Sequence, residues 1–232
     1  MGAPSETVTP RRPLALLFDL DGTLVDSIEL ILSSFRHTFR THLGAVPPDA
    51  KWIAGLGTPL VTQLREFTGD DALARAMTAT YREYQLEHHD ELMRVYEGVP
   101  ESLGELRARG HPTALVTSKM FDLAVRALRF TGLREMIDVV IGVEQSTRHK
   151  PDPEPVQIAL AALGYAADEA VFLGDSPHDV GAGNAAGVIT VAAEWGPFSV
   201  AEIEVARPRY RVSRIRDFPP LVAQLSAEFG RK

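Results

Sequence analysis

The stretch Leu14-Ala15-Leu16-Leu17-Phe18-Asp19-Leu20-Asp21-Gly22-Thr23 decides the fold. Five apolar residues run without a break and stop at a carboxylate. A continuous run this short, bounded by turn residues, reads as a strand buried on both faces, as in parallel sheets covered by helices. Residues 19–23 then place two carboxylates, a glycine and a hydroxyl at the carboxyl end of that strand.

Working outward, four more short apolar runs occupy residues 113–116, 139–143, 170–173 and 188–192. Helical patterns separate them, over 101–109, 121–130, 155–163 and 179–186. Three of these patterns are followed by Gly110, Gly164 and Gly187, where helix C-caps favour glycine. The alternation predicts a doubly wound, Rossmann-like α/β domain around a parallel sheet.

Residues 24–94 break the alternation. Leu30, Ile31, Phe35 and Phe39 fall at helical spacing, as do Leu60, Leu64 and Phe67, and a long helical stretch covers 72–88. These residues read as a helical insert placed after the first strand. Residues 1–22 and 96–232 are expected to form the α/β core, and 23–95 the insert, with linkers near 25–27 and 93–97. Residues 1–13, with three prolines, read as a loose tail.

Composition narrows the function classes. The chain has 232 residues, 24 Lys plus Arg against 31 Asp plus Glu, and a formal charge of −7. That balance argues against nucleic-acid and polybasic membrane binding. The absence of cysteine excludes disulfides, thiolate nucleophiles and Cys-ligated metals. No apolar run approaches the roughly 20 residues of a membrane span. Arg11-Arg12 precedes an apolar run of only five residues, short of the roughly 7–15 of a secretion-signal core. The expectation is a cytoplasmic protein, monomer or homodimer.

In open α/β sheets, ligands bind beyond the carboxyl ends of the strands. There the sequence gathers Asp19 and Asp21, then Thr117, Ser118 and Lys119, then Lys150, then Asp175 and Asp179. Clustered carboxylates repel one another and call for a cation. An oxygen-only donor set suits a hard ion, Mg²⁺ above all. Hydroxyls and ammonium groups beside such an ion make the surroundings of a phosphoryl group: Thr117 and Ser118 can hold its oxygens, and Lys150 can neutralise developing charge. The partner expected is a small anionic phosphorylated substrate.

Four segments together resemble the motifs of the haloacid dehalogenase-like phosphohydrolases. They are Asp19-Leu20-Asp21-Gly22-Thr23-Leu24-Val25-Asp26-Ser27, Thr117-Ser118, Lys150-Pro151-Asp152 and Gly174-Asp175-Ser176-Pro177-His178-Asp179, in the family's order. The resemblance implies Asp19 as nucleophile, forming an aspartyl-phosphate, and Asp21 as the acid that later activates water. It implies metal ligation by the Asp19 carboxylate, the Asp21 carbonyl and Asp175, with Asp179 orienting water or the metal's surroundings. Thr117 and Lys150 would hold the phosphate. The insert is similar to the family's helical cap, which closes over the site and selects the substrate.

Finer text resembles bacterial inorganic pyrophosphatases of this family, with pyrophosphate slightly preferred, and the phosphoglycolate phosphatases. Other metabolite phosphatases, a phosphomutase and a non-catalytic phosphate binder remain as alternatives. By analogy Gly55, Gly57 and Thr58 belong to the substrate loop of the cap, with glycine N–H groups facing the ligand. No arginine stands between Lys51 and Arg65 in that loop. Phe35 and Phe39 read as packing within the insert, Trp52 as part of its small core and Trp195 as loop packing. His88-His89 reads as solvated, and Lys119 and His178 carry no assigned role.

Overall fold

A computed structural model describes residues 12–229. The tail expected over 1–13 lies outside the described residues except for its last two. Of those, Arg12 is held, not loose: its guanidinium lies over the Tyr165 ring, 3.7 Å from the centroid, and pairs with Glu169.

The strands and helices follow in chain order as β1 (Ala15–Phe18), β2 (Val25–Asp26), α1 (Ile28–Leu43), α2 (Asp49–Ile53), α3 (Leu60–Thr68) and α4 (Asp71–Leu92). Then come β3 (Arg94–Val95), α5 (Val99–Ala108), β4 (Thr113–Val116), α6 (Phe121–Phe130), β5 (Val139–Ile141) and α7 (Glu154–Leu163). The chain closes with β6 (Ala170–Gly174), α8 (Pro177–Ala186), β7 (Ile189–Ala193), α9 (Val200–Glu204), β8 (Tyr210–Val212) and α10 (Phe218–Phe229).

Six strands form one parallel sheet in the order β5-β4-β1-β6-β7-β8. The alternation along β1 explains its unbroken apolar sequence. Leu16 and Phe18 join one cluster with Leu103, Leu106, Leu128 and Phe218, whereas Ala15 and Leu17 join another with Val156, Leu160 and Phe172. Helices thus cover both faces, and each fully buried Leu or Phe stabilises the fold by roughly 1.5–3 kcal/mol. The edge strand β8 escapes sequence reading because Tyr-Arg-Val offers no apolar run.

The four helices α1–α4, the cap, lie in the chain between the strands of the antiparallel β2–β3 pair, Val25 opposite Val95. The cap has its own core. Phe35 stacks on Trp52 at 4.3 Å between ring centroids, and Phe39 lies 4.5 Å from Phe35. Leu64, Met77 and Tyr81 complete it. Asp70 starts α4 by accepting hydrogen bonds from the N–H groups of Ala72 and Leu73.

Sequence reading erred on the His pair. Residues four apart on α4 share a face, so Met77, Tyr81, Gln85 and His89 form one buried stripe. His89 is buried with its ring edge-on to Phe130, while His88 turns away and stacks on Tyr84. The two rings do not share a face, as expected, but His89 is not solvated.

Candidate active site

The strand order places a crevice at the carboxyl end of β1. After β1 the chain fills one side of the sheet with β4 and β5, then crosses to β6, β7 and β8 on the other. Asp19 follows β1, Thr117 follows β4 and Asp175 follows β6, so three adjacent strands deliver their first polar residues to one spot. The Asp19 N–H donates to the Leu173 carbonyl and the Thr117 N–H to the Ile141 carbonyl, which continues the sheet's bonding into the loops.

Lys150 is the hub. Its buried Nζ donates to Asp19 Oδ1 at 2.7 Å, to Asp179 Oδ1 at 2.6 Å and to the Val116 carbonyl at 3.2 Å. Asp179 is fixed in turn by the start of α8. Its Oδ2 accepts from the Ser176 N–H and hydroxyl, while Ser176 Oγ accepts from the Asp179 N–H. Asp175 Oδ1 accepts from the Thr23 hydroxyl at 2.5 Å. Gly22 makes that approach possible: it has φ +89°, and a Cβ there would stand 2.5 Å from Asp175 Oδ2.

Asp19, Asp175 and Asp179 each place one carboxylate oxygen within 4.8 Å of the others. One ammonium cannot balance three buried carboxylates. Burial raises Asp19 to about 7, against the pull of Lys150, and raises Asp175 well above the ordinary carboxylate range, with Asp179 and Asp19 adding to it. Burial works against the charge of Lys150, yet Asp179 and Asp19 raise its pKa above that of a free lysine. Oxygen-only donors with a deficit of positive charge fit a hard divalent cation.

Asp21 stands apart from that cluster. Both its carboxylate oxygens accept from Lys119 Nζ at 2.9 Å, and Oδ1 also accepts from Ser27 at 2.5 Å. Above Asp19 and Asp21 lies a cavity of about 150 Å³. Thr117, Ser118 and Lys119 share its floor, and the cap supplies its roof, including Ile31, Trp52, Leu56, Tyr81 and Arg82.

The cap loop is latched to the floor. Ser118 Oγ donates to the Gly57 carbonyl at 2.5 Å, His178 bonds the Ala54 backbone and Leu56 packs beside Val180 and Phe198. Gly57 has φ +94°, and a Cβ there would meet Ser176 Oγ at 2.9 Å, so the loop can lie this close only as glycine.

The haloacid dehalogenase-like hydrolase family matches residues 16–193. The chain belongs to that family. It is 36% identical over 215 residues to the pyrophosphatase PpaX of Listeria monocytogenes, covering 89% of this chain and 95% of the relative. Its fold matches a haloacid dehalogenase-like family hydrolase of Streptococcus pneumoniae with TM-score 0.78 and 26% identity, over 90% of this chain and 98% of that one. The β-phosphoglucomutase of Clostridium difficile shares the fold at TM-score 0.82 and 15% identity, over 95% and 100%.

As a haloacid dehalogenase-like hydrolase, the chain brings Asp19, Asp175, Asp179 and Lys150 into one cluster, with Asp21 and Thr117 at the cavity beside it. Ser118 faces the same cavity but gives its hydroxyl to the cap. In the loop, the Gly55 N–H donates to the Trp52 carbonyl and the Thr58 hydroxyl to the Gly55 carbonyl, so neither group is free for a ligand. The expectation of a ligand-facing N–H at Gly55 is thus corrected, because the loop is a tight turn that consumes it.

Sequence reading missed the roles of Thr23, Ser27 and Lys119. It also missed Gln63 and Gln85, buried polar residues among the apolar faces of α3 and α4 that line the cavity. A polar residue on an apolar helical stripe was the available signal. Trp52 does close the cap core, and it lines the cavity as well. Trp195 packs as expected, edge-on to Tyr96, its indole N–H donating to the Thr23 carbonyl at 3.0 Å. No helix among the described residues is long and apolar enough to cross a membrane.

Proposed function

We propose that the chain is a Mg²⁺-dependent phosphohydrolase acting on a small phosphorylated metabolite or on pyrophosphate through an aspartyl-phosphate on Asp19. The observation that carries this reading is the cluster of Asp19, Asp175 and Asp179 bridged by Lys150, set beneath a cavity that Asp21 also lines. Asp19 and Asp175, with the Asp21 carbonyl, would hold the ion, and Asp179 would order the groups around it. Bound Mg²⁺ supplies the missing positive charge and polarises phosphoryl oxygens.

The steps follow from the residues in place. An Asp19 carboxylate oxygen attacks phosphorus, and the bond from phosphorus to the leaving oxygen breaks. Asp21, which enters this step protonated, gives that oxygen its proton and is left as a carboxylate. Water then attacks the phosphorus, Asp21 takes the water's proton, and the bond from phosphorus to Asp19 breaks to release inorganic phosphate. Lys119 and Ser27 hold the Asp21 carboxylate at the cavity, and Thr117 and Lys150 carry phosphoryl oxygens. Closure of the cap keeps bulk water from the reacting centre.

The name of the Listeria relative supports pyrophosphate as substrate. The test is phosphate release from small phosphates with Mg²⁺ and with chelator, in the wild type and Asp19→Asn. Metal-dependent release that falls by about 10⁴-fold or more in the mutant is expected. Substantial turnover by an undeamidated Asp19→Asn protein overturns the nucleophile assignment.

A further inference from the structure

We propose that Arg82 and Gln85 of α4 form an oxyanion subsite in the cavity roof. It takes a second negative group of the substrate, a carboxylate or a phosphate, at the end away from the phosphoryl group on Asp19. Resting on the phosphohydrolase reading, this subsite is the cap's contribution to selectivity.

The cavity holds one uncommitted charge. The charged residues that line it are Asp19, Asp21, Lys119 and Arg82. Asp19 is bonded to Lys150, and both oxygens of Asp21 engage Lys119. Arg82 forms no ion pair and no hydrogen bond among the described residues. Elsewhere in the cap Arg36 pairs with Glu29 and Asp49, and Arg65 with Asp71. The unpaired Arg40 and Arg75 are exposed to water, whereas Arg82 is half-buried. Its neighbours on the same helical face, Thr78, Ala79, Gln85 and Leu86, include no carboxylate. A guanidinium drawn partly out of water without a counter-ion is short of partners, and an oxyanion supplies them.

Gln85 stands three residues on from Arg82, on the same face of α4, and lines the same cavity. It is 6% exposed, yet its amide makes no hydrogen bond among the described residues. Unlike Trp52 Nε1 and Gln63 Oε1, which are sealed, that amide keeps accessible surface at the cavity. Its NH₂ group and the guanidinium both donate, and an anion with two or more oxygens accepts from both.

The cap loop offers no rival cation. It has no arginine between Lys51 and Arg65, and Arg65 is taken by Asp71. The roof's positive charge therefore comes from α4. The cavity of about 150 Å³ is the room that one benzene ring fills, so a substrate seated at Asp19 reaches the roof with only a few atoms.

The test compares kcat/KM of the full chain with Mg²⁺ on 2-phosphoglycolate, pyrophosphate and propyl phosphate. The first carries a carboxylate as its second negative group, the second a phosphate, and the third none. At least one of the two oxyanion substrates should exceed propyl phosphate by about tenfold or more, and which one tells carboxylate from phosphate. Arg82→Gln should cut that ratio about tenfold, mainly through KM, and Gln85→Leu about threefold. Arg82→Lys should keep part of the ratio, since an ammonium still pairs with an oxyanion. Propyl phosphate turned over as well as both others overturns the subsite and leaves the phosphohydrolase reading standing. So does an Arg82→Gln protein that loses activity on all three substrates alike, or on none. No metal-dependent release from any of the three overturns the reading beneath, and the subsite with it.

Discussion

The floor and the roof of the cavity are closed by different forces. On the floor, polar groups answer one another: Lys150 joins Asp19 to Asp179, Thr23 holds Asp175, and Lys119 with Ser27 holds Asp21. On the roof, packing rules. Phe35, Trp52 and Phe67 stack, and the polar atoms Trp52 Nε1 and Gln63 Oε1 go unanswered. A floor whose side chains are each held by a buried hydrogen bond is positioned for one chemistry, because a shift breaks such a bond. A roof held by non-directional contacts can change its lining while keeping its fold. On the proposed function, reaction type belongs to the floor and selectivity to the roof.

The severest way to break the contrast is to remove the floor's hub. Lys150→Met leaves Asp19 and Asp179 buried without their cation, and a loss of about 3–5 kcal/mol is expected, read by denaturant unfolding. A loss below about 1 kcal/mol would show that the floor is no more tightly coupled than the roof.

A second, smaller effect comes from pH. A carboxyl raised by burial stabilises the fold while protonated. That contribution is complete below the ordinary 3.8 and is lost as pH climbs through about 7 for Asp19, with Asp175 acting in the same direction. The metal-free protein should therefore lose on the order of a few kcal/mol from this cluster between about pH 4 and pH 8. Mg²⁺ bound to the ionised carboxylates, as the proposed function requires, would offset the loss. The gain in melting temperature from Mg²⁺ over chelator should then grow with pH across that window. A gain independent of pH would remove these carboxyls from the metal site.

The mildest change sharpens the seam between the two walls. Ser118→Ala deletes the hydroxyl that latches Gly57, a hydrogen bond of about 1 kcal/mol. KM should rise about fivefold, with little change in melting temperature, because the latch serves closure and not the core of either part. An unchanged KM would mean that the latch does not govern substrate retention.

The contrast also separates what could be read early from what could not. Most residues of the floor follow strand ends, where chain order brings them together once the parallel sheet is inferred, and Lys150 lies farther on, in the loop between β5 and α7. That Asp19, Asp21, Thr117, Asp175 and Asp179 gather in one place was legible for that reason, and Lys150 was read from its motif. The partners of Lys119 were not, since its position after β4 leaves open whether its ammonium turns to Asp21, to a ligand or to solvent. In the cap, Phe35 and Phe39 announced packing, but Gln63, Gln85 and His89 lay hidden on helical stripes that the pattern treats as core.

By itself the sequence determined the alternation of buried strands and helices, the helical insert and the carboxylates at the strand ends. Local periodicity and the position of each polar residue after an apolar run suffice for that. Tertiary structure alone decided that one ammonium serves two carboxylates, that Ser118 turns to the cap and that Gly55 spends its N–H within a turn. It also decided which roof atoms stay without partners. Those outcomes depend on distances of a few ångströms between segments far apart in the chain, and no spacing along the sequence encodes them.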